Sequence, residues 1–513
     1  MRRSWFPRAV SNITDTGSTF GYVLEVDWDG NGRFFTELSD ISAYTMAVST
    51  YRGRNFASQL TGRAQAGTLR ATLNNEDGRF SSFLTSGPLY NKILPNRKVR
   101  LRTKFPQYVL WTGFLDRIEP NVGSGGFVSA TLYASGSFIK LAGQNSRVSP
   151  PSQAETYTGP IISAILDAAG WDSSRIVEAG SVYVSRWFIE ERDALASLQE
   201  IEDTEFGFLY EGLAWDIGFE GRYSRFINHS TSEVTYSDAT ADTYHYESIQ
   251  QSDPLREIYN RFEATVQPYE DEAAAVLWTL TGASAVLAAG QSRTYIATVG
   301  SLDGVSVAYV SEWTTPVVGT DLTQTGVSDS NIAVSVVKNA RTMEITVTNN
   351  HASAAATLTL LQARGAAVLR LDPYKISDED TASQAKYGRR TYPLASPWYG
   401  NLPYATLSAE YLLEIATEPR PLFSLGWTAT KDSTHRLEAL RRKISDRVTV
   451  KATGNATLGV NQDFYIEGIG HDITSGPLHK VSFILSPVVD VYDGNTLFIV
   501  GSSLVDGDHV VTH

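Results

Sequence analysis

Cysteine is absent from the chain of 513 residues, and so is any apolar run long enough to cross a membrane. Without thiols there is no disulfide, no thiolate metal site, no iron–sulfur cluster and no cysteine nucleophile. A membrane-spanning helix needs about 20 consecutive apolar residues, so we predict no membrane span. The opening stretch MRRSWFPRAVSN lacks the apolar core of a secretory signal. These absences predict a soluble protein without a visible export signal.

Positive charge is scarce. The chain has 43 Lys and Arg against 56 Asp and Glu, a formal net charge of −13. An acidic protein does not usually hold DNA by neutralising its phosphates, although a negative surface can let DNA pass without adhering. The one short basic run, HRLEALRRK at 435–443, fits a helix with Leu437 and Leu440 facing inward. We interpret it as a solvated helix or a subunit contact.

Aromatic and β-branched residues are plentiful by contrast. There are 25 Tyr, 21 Phe and 10 Trp, and Thr, Val and Ser recur in short alternating runs. Such residues fit pleated, half-buried surfaces. With 42% hydrophobic residues the chain has material for buried cores, and its length suggests about three or four domains. The composition predicts a mainly β, multidomain protein with α+β parts.

The order of these patterns divides the chain. Residues 18–145 alternate as short strands and polar turns, as antiparallel barrels or sandwiches do, with RFFTEL at 33–38 among the predicted strands. SPPSQ at 149–153 marks a boundary, and a small α+β unit follows over 152–228. Residues 272–366 repeat a strand rhythm typical of an inserted β-sandwich.

Helical periodicity appears in several segments. TGPIISAILDAAG places its apolar residues on one face, with Thr158 as the candidate N-cap and Gly170 as the stop. IEERDALASLQEIED and PYATLSAEYLLEIATEP predict two further helices. In SDEDTASQAKYG, Ser377 and Asp380 have the spacing of a capping box.

The stretch EVDWDGNGRFF begins like an EF-hand calcium loop. Asp27, Asp29, Asn31 and Gly32 fit the first ligand positions and the glycine of that loop. The closing position requires a bidentate Glu but is Leu38, and the flanking residues alternate as strands rather than helices. We interpret the stretch as a hairpin turn and not as a calcium site.

No arrangement of residues points to catalysis or to metal binding. The chain has no G-x-S-x-G elbow, no H-E-x-x-H, no Walker loop and no G-x-G-x-x-G after a strand. The carboxylate pairs Glu202/Glu205 and Asp378/Asp380 could in principle serve a glycosidase, but we interpret them as solvated or capping residues. We predict no catalytic, cofactor-binding or metal-binding residues, no cofactor and no enzymatic activity.

The eight histidines are scattered along the chain. The only two that stand four apart, in the terminal HVVTH, fit a strand-like or mobile tail better than a metal clip. We interpret all of them as solvated surface residues. The eight are His229, His245, His351, His435, His471, His479, His509 and His513.

An ordered set of phrases carries more information. EVDWDGNGRF is followed by YRGRN, AGTLRATLNNEDGRFSS, GPLYNKILPNRKVRLR and LWTGFLDRIEP, and then by ILDAAGW, LASLQEIEDTEFGFLYEG, YGRRTYPL and SDRVTV…DFYIEGIGHDI. In this order they resemble minor tail proteins of long-tailed bacteriophages. More specifically, they resemble the baseplate-hub or tail-tip-hub family related to the contractile-tail hub and late control D proteins. The resemblance covers most of the chain, apart from residues 272–366.

The resemblance implies a homotrimeric ring that caps the tail tube. Two tube-like antiparallel β-barrel domains in each subunit would present pseudo-sixfold symmetry to the hexameric tube. The implied domains are 1–148, an N-terminal tube-like β-barrel; 152–228, an α+β hub domain; 229–271 with 367–430, a second tube-like hub domain with helices; 272–366, an inserted β-sandwich; and 431–513, a C-terminal β segment that completes the hub.

Further expectations follow from the same resemblance. The partners would be distal tail or tube proteins, tail fibre or spike proteins and the tape measure protein, and DNA would pass through the lumen without specific binding. The location would be the virion tail tip, after assembly in the host cytoplasm. The segments Arg52–Arg54, Asp77–Arg79 and Pro88–Tyr90 would hold turns and register, and Glu205–Phe208 would lead a strand out of a helix.

Two other functions remain open from the sequence. The main alternative is a receptor-binding or carbohydrate-binding tail protein that works through the sandwich at 272–366. The other is a virion-associated hydrolase, which would require titratable groups that converge in a pocket. A stable trimer would favour the hub, and a monomer that binds glycans would favour the adhesin.

Overall fold

A computed structural model describes most of the chain and shows a mainly β, multidomain fold, as predicted. The described residues are 21–55, 62–105, 107–123, 128–143, 146–148, 156–184, 186–189, 191–239, 242–252, 257–281, 285–396, 398–400, 402–454, 458–476, 478–489, 496–497 and 509–510. Residues 1–20 of the predicted first domain and the predicted boundary at 149–153 lie outside them.

The first β unit is an antiparallel sheet with the strand order β1-β5-β6-β7-β4-β2. Alternation explains which side faces inward: in β4 the apolar positions Leu69, Ala71 and Leu73 are buried while their neighbours are more exposed. The strands are β1 Tyr22–Val26, β2 Thr45–Asn55, β3 Arg63–Ala64, β4 Thr68–Asn74, β5 Lys98–Thr103, β6 Val109–Val122 and β7 Val128–Ser135. The next strand, β8 Arg147–Val148, belongs to a separate two-stranded sheet.

Residues 27–32 form a turn, as predicted, but not the turn of a β-hairpin. No strand occupies 33–38, so the strand predicted for RFFTEL is wrong. β1 pairs with β5 instead, and its other edge is bonded by the segment that ends near Ile41, whose N–H donates to the carbonyl of Leu24 at 2.9 Å. Phe34 leaves the strand pattern because its ring stacks on Trp215, with centroids 5.8 Å apart.

The α+β unit follows the first β unit. Its elements are β9 Thr156–Tyr157, α1 Thr158–Ala168, β10 Arg175–Val177, β11 Tyr183–Val184, β12 Arg192–Asp193, α2 Ala194–Glu205, β13 Phe208–Glu211, β14 Ile217–Glu220 and α3 Ser224–Asn228. α1 ends before Gly170, which has φ of +69° and stops the helix as predicted. The N-cap prediction for Thr158 is wrong, because this residue lies inside the helix and its hydroxyl donates to Glu205 at 2.8 Å.

α2 shows how the sequence sets a helix end. The side chain of Asp193 accepts a hydrogen bond of 2.8 Å from the N–H of Ala196 and so caps the start of the helix. At the other end Phe206 takes a left-handed conformation with φ of +54°, and β13 begins two residues later. Residues 205–208 therefore lead a strand out of a helix, as expected.

The second β unit continues the sheet of the first. Its strand order is β32-β33-β30-β16, with β31 on the other edge of β32 and β15 beside β31. β2 pairs with β32, so both units belong to one 13-stranded sheet. The elements are β15 Thr235–Ser237, β16 Ser248–Gln251, β30 Phe423–Thr428, α6 Ser433–Arg441, β31 Arg447–Ala452, β32 Val460–Thr474 and β33 His479–Pro487.

A three-stranded sheet with two helices packs on the α+β unit. Its elements are β17 Arg261–Val266, β28 Tyr374–Glu379, α4 Thr381–Tyr387, β29 Thr391–Ala395 and α5 Leu402–Ala416. Phe262 of β17 and Leu412 of α5 share one buried core with Ile161 of α1. Asp380 caps α4 by accepting from the N–H of Ser383 at 2.8 Å, while Ser377, its expected capping-box partner, lies in β28.

The inserted sandwich has a hydrophobic core of its own. Its strands are β18 Tyr269–Asp271, β19 Ala275–Thr279, β20 Val286–Leu287, β21 Ser292–Thr298, β22 Ser301–Leu302, β23 Val305–Thr314, β24 Leu322–Thr325, β25 Ile332–Lys338, β26 Thr342–Asn349 and β27 Ala356–Arg370. Tyr269 and Arg370 are paired neighbours in β18 and β27, so the chain enters and leaves the sandwich at one place. Near the C-terminus, β34 Thr496–Leu497 pairs with β35 His509–Val510.

Candidate functional site: a buried junction between the β units

A cluster of charged side chains lies where the two β units meet the α+β unit. We call it the junction cluster: Arg54 of β2, Glu202 of α2, Arg225 of α3 and Glu467 of β32. None of the four is more than 2% exposed. Charged residues are rarely buried to this degree unless they are paired, so the bonds within the cluster decide what it can do.

Arg54 joins the first β unit to the α+β unit. Its Nη2 donates to Oε1 of Glu202 at 2.8 Å and to the carbonyls of Gly62 and Gly207, each at 3.1 Å. Glu202 also accepts from the N–H of Ala64 at 3.0 Å and of Leu209 at 2.9 Å. Both partners are therefore hydrogen-bonded beyond their ion pair, which a buried pair requires.

Arg225 joins the α+β unit to the second β unit. It forms a fork on Glu467, with Nη1 on Oε1 and Nη2 on Oε2, the latter at 2.9 Å. Nη1 of Arg54 lies 3.8 Å from the same carboxylate. The ring of Phe208 lies beside both guanidinium groups, 3.6 Å from Cζ of Arg225 and 4.5 Å from Cζ of Arg54. A planar fork on a carboxylate with an aromatic neighbour is a geometry that arginine supports and lysine does not.

Glu467 stands at the point where β32 changes partners. β31 pairs with β32 as far as Tyr465, and β2 pairs with it from Gly468 onward. Gly53 of β2 faces this point with φ of +144°, and a Cβ there would lie 2.4 Å from the carbonyl oxygen of Glu467. Only glycine lets the two strands come this close. The expected role of Arg52–Arg54 in holding a turn is wrong, since these residues lie within β2.

The charges of the junction cluster follow from its bonds. Burial alone would raise the pKa of Glu467, but Arg225, Arg54 and the Ser486 hydroxyl together hold that pKa below its ordinary value. Burial raises the pKa of Glu202 and outweighs the opposing charge of Arg54 and the two backbone donors. The fork between Arg225 and Glu467 is thus an ion pair across the neutral pH range.

A second buried carboxylate lies one helical turn further along α2. Glu205 is completely buried and accepts from the hydroxyl of Thr158 and from the N–H groups of Ser181 and Val182, each at 2.8 Å. Arg222 lies 3.7 Å away. The interpretation of Glu202 and Glu205 as solvated or capping residues is therefore wrong. Each follows a buried apolar residue of α2 by four positions and so shares its inward face.

Glu211, on β13, is another buried acid. It accepts from the N–H of Gly67 at 2.7 Å and from the N–H of Phe138 at 2.5 Å. Burial raises its pKa to about 7, against the opposing effect of these two donors and of Arg52. A carboxyl group that changes protonation near neutral pH therefore lies between the first β unit and the α+β unit.

Three of the histidines whose burial the structure describes are buried, so the surface interpretation is wrong for them. His435, His471 and His479 are at most 5% exposed. Nδ1 of His479 is 2.6 Å from the hydroxyl of Tyr22 in β1, and its Nε2 is 2.9 Å from Nδ1 of His471. Burial, with Arg436 nearby, lowers the pKa of His479 to about 4. His509 lies in β35, and His513 lies outside the described residues.

α6 buries a polar face. The prediction placed Leu437 and Leu440 inward, yet these are only half-buried, and the buried positions are His435, Glu438 and Ala439. Polar partners explain the difference. Nδ1 of His435 is hydrogen-bonded to the carboxylate of Asp432 at 2.8 Å, and the Tyr236 hydroxyl donates to Glu438 at 3.0 Å.

In the stretch that resembles a calcium loop, a carboxylate binds backbone N–H groups of the same turn. The carboxylate of Asp27 is buried and accepts from the N–H groups of Gly30, Asn31 and Gly32 at 2.7–3.3 Å. Asp29 pairs with Lys92 at 2.8 Å. Within the described residues no group of three or more His, Asp and Glu side chains is placed to hold a metal ion. None of the helices in that part of the chain is long and apolar enough to cross a membrane.

The exposed surface offers two features for assembly. β16 is the last strand of the 13-stranded sheet and pairs only with β30 among the described strands, and all its residues but Ile249 are exposed. Large apolar side chains also reach solvent, with Phe83 95%, Phe105 92% and Phe35 80% exposed. An unpaired strand edge and exposed rings are both suited to protein contacts.

Comparison with known proteins gives a match in structure but none in sequence. No family model and no curated protein matches the chain. A tail protein from Neisseria meningitidis MC58 superposes with a TM-score of 0.50 at 9% identity, over 91% of this chain and 97% of that one. The chain has the fold of a tail protein. The resemblance predicted from the sequence is confirmed as a likeness of fold.

Two other solved structures match this chain with lower TM-scores. The 43 kDa tail protein of prophage MuSo2 from Shewanella oneidensis has a TM-score of 0.47 at 10% identity, over 92% of this chain and 99% of that one. An E. coli component of the type VI secretion system, described as structurally similar to the T4 bacteriophage tail proteins gp27 and gp5, has a TM-score of 0.39 at 8% identity. That match covers 89% of this chain and 78% of that one.

Proposed function

We propose that this chain is a structural subunit of the tail-tip or baseplate hub of a tailed phage, and that three copies form a ring that caps the tail tube. One observation carries the proposal: two β units, whose strands are antiparallel except for the pair β15 and β31, lie side by side in a single sheet, joined by β2 and β32. Three copies of a chain with two such units present six units around one axis. That arrangement matches three subunits to a six-membered tube.

The junction cluster supports this role by fixing the angle between the units. Arg54 and Arg225 connect β2, α2, α3 and β32 through fully buried ion pairs, and Gly53 holds the two β units at close contact. A ring closes only when each subunit presents its two ends at a constant angle. A rigid, buried joint between the units provides that constancy.

Ring closure would use the free edge of the sheet. The outer edge of β16 has no partner strand among the described residues, and Gln250 and Gln251 are exposed on it. We expect a neighbouring copy to add a strand or a loop to this edge, by the same backbone pairing that joins β2 to β32. The exposed Phe83 and Phe105 are available to the tube, fibre or spike proteins.

The acidic balance fits a passage for DNA. With a net charge of −13, a ring of these chains would not hold the phosphates of DNA passing through its centre. The role proposed is non-enzymatic and belongs to the virion tail, where the chain would contact distal tail proteins, the tape measure protein and fibres or a spike.

Light scattering during size-exclusion chromatography tests the ring. We expect a species of three times the 56.2 kDa chain mass. The double substitution Gln250→Lys with Gln251→Lys places charge on the free edge and should yield monomer with an unchanged melting temperature. The matched control, Thr294→Lys with Ile296→Lys on the exposed face of β21, should remain trimeric.

The same measurement separates the hub from the adhesin. A chain that stays monomeric at high concentration contradicts the ring and favours a receptor-binding protein that works through its sandwich. A trimer that survives the charged β16 edge would place the subunit contact elsewhere and overturn the edge assignment alone.

A further inference from the structure

A cavity of 220 Å³ opens at the base of the inserted sandwich, where the sandwich meets the α+β unit. Three arginines line it: Arg186 and Arg192 from the α+β unit, and Arg370 from the end of β27. Aromatic rings form the rest of the wall, chiefly Trp187 and Trp398. None of the lining residues that the structure describes is acidic, so this part of the wall combines guanidinium groups with flat apolar faces.

Packing fixes the shape of this cavity from both sides. Phe188 lies against Tyr309 of β23 with ring centroids 5.0 Å apart, and it belongs to a small apolar cluster that holds the sandwich on the α+β unit. The rings of Trp187 and Trp398 lie 6.5 Å apart. Arg186 forms an ion pair with Asp271 of β18 across the same boundary. The lining groups are thus held before any ligand arrives.

The described lining residues keep an excess of positive charge. Arg186 is paired with Asp271, and Arg192 with Glu200 at 2.9 Å. Arg370 is hydrogen-bonded to the phenol of Tyr269, a neutral group. Of the three guanidinium groups, the one on β27 therefore has the most capacity left for an anion.

Trp187 supplies the second observation. The side chain is 1% exposed, and its indole N–H has no hydrogen-bond partner among the described residues. Leaving a buried donor unsatisfied costs about 1–3 kcal/mol, and such donors are uncommon in folded proteins. This donor belongs to a residue that lines the cavity, and a ligand with an acceptor oxygen would satisfy it.

We propose that this cavity binds an anionic monosaccharide unit, a sugar ring carrying a carboxylate, of a surface polysaccharide. Arg370 binds the carboxylate, because a guanidinium group offers paired donors in the geometry of two oxygens. Trp187 donates its indole N–H to a ring or hydroxyl oxygen, and the aromatic wall covers the apolar face of the sugar. The volume lies below the about 300–1,000 Å³ of drug-sized pockets, so it suits one ring of a chain that continues into solvent.

This proposal depends on the cavity alone and does not require the trimeric ring. Isothermal titration of the full-length chain is the test, with glucuronic acid and N-acetylneuraminic acid as ligands and glucose and inorganic phosphate as comparisons. We expect either acid to bind at least tenfold more tightly than glucose, and phosphate to be the weaker anion. Ligand at about 10 mM detects a Kd in the millimolar range.

Two variants and one control locate the binding. Arg370→Gln should weaken binding of the acidic sugar at least fivefold and leave the melting temperature unchanged. Trp187→Phe retains one ring and removes the unpaired N–H together with the other ring, so it should weaken binding and lower the melting temperature, because it shortens a buried side chain. Arg293→Gln removes an exposed arginine of the sandwich outside the lining residues and should bind as the parent does.

Clear results would overturn the assignment. Equal binding of glucose and the acids, or no heat with either acid, removes the sugar-acid site. Phosphate that competes as well as the sugar acid shows a plain anion site instead. Undiminished binding by both Arg370→Gln and Trp187→Phe would place the ligand elsewhere. A peptide carboxylate that binds more tightly than the sugars would show that the cavity serves a protein partner.

Discussion

Arg54 donates a hydrogen bond of 2.8 Å to Glu202, and both side chains are completely shielded from solvent. The two residues are 148 positions apart in the chain, and their bond joins β2 to α2. Because a buried charge is tolerated only with its partner, each of the two depends on the other for its place in the fold.

Breaking this pair on one side should destabilise the protein strongly. Arg54→Met leaves the carboxylate of Glu202 without its cation, and we expect a loss of about 3–5 kcal/mol in the free energy of unfolding. Adding Glu202→Met should recover part of the loss, because the double variant removes both charges. Urea unfolding followed by tryptophan fluorescence measures all three proteins. The exposed pair Arg117–Glu119 is the control, and Arg117→Met should leave the unfolding midpoint unchanged. A single variant as stable as the parent would contradict the assignment.

The contact between β2 and β32 depends on one glycine. Gly53→Ala would place a methyl group 2.4 Å from the carbonyl oxygen of Glu467, so the two strands must separate. We expect a loss of at least about 2 kcal/mol, in the range of overpacked sites. Gly476→Ala is the control, since a Cβ there meets nothing within 4 Å. Equal urea midpoints for the two variants would show that the contact between the units is not constrained.

Glu211 should make stability fall as the pH rises through neutrality. Its pKa is raised to about 7 in the folded state, above its ordinary value, so the folded protein holds a proton that the unfolded chain releases. The stability it contributes is complete below pH 4.5 and is lost as the pH passes 7. Each proton accounts for at most about 1.4 kcal/mol per pH unit.

The variant Glu211→Gln removes this titration. The free energy of unfolding, measured at pH 6, 7 and 8, should decline with pH in the parent. In the variant it should change much less over the same interval. Glu37→Gln changes an exposed glutamate of the first β unit and should keep the parent's slope. A variant that declines with the parent's slope would assign the pH dependence to another group.

His479 should produce the opposite dependence on the acid side. Burial and Arg436 lower its folded pKa from 6.5 to about 4, and Tyr22 and His471 are its hydrogen-bond partners. The unfolded chain takes up a proton first, so the contribution of His479 is present above pH 6.5 and is lost as the pH falls toward 4. The parent should therefore lose stability between pH 6.5 and 4.5, and His479→Gln should lose less over the same interval. If the free energy of unfolding falls equally in the two proteins between pH 6.5 and 4.5, His479 is not the cause of the loss.

Local pattern predicted much of the fold. The alternation in β4 and β26, the periodicity of α1, α2 and α5, the stop at Gly170 and the strand after Glu205 are all present in the structure. Each of these depends on residues close together in the chain, and backbone geometry alone sets their spacing. The rhythm of the inserted sandwich has the same origin.

Side-chain partners distant in sequence could not be predicted in this way. Acidic residues such as Glu202 and Glu205 are typical of a solvated helix face. Their burial is explained by the distant cations, Arg54 beside Glu202 and Arg222 beside Glu205. Arg225 and Glu467 are 242 positions apart. A usable signal did exist in α2, where both glutamates fall four positions after buried apolar residues. The alternation in RFFTEL was misleading, because the ring of Phe34 packs on Trp215 in a loop of the α+β unit.

The pairing of Tyr269 with Arg370 has a consequence for the history of the molecule. Since the sandwich departs from and returns to adjacent strands, a short reverse turn could replace it without moving β17 or β28. The inserted sandwich can therefore be gained, lost or exchanged while the strands on either side of it keep their positions. Variation in exposed surface between chains of this fold would then concentrate in the inserted sandwich, and the strands outside it would keep their pairing.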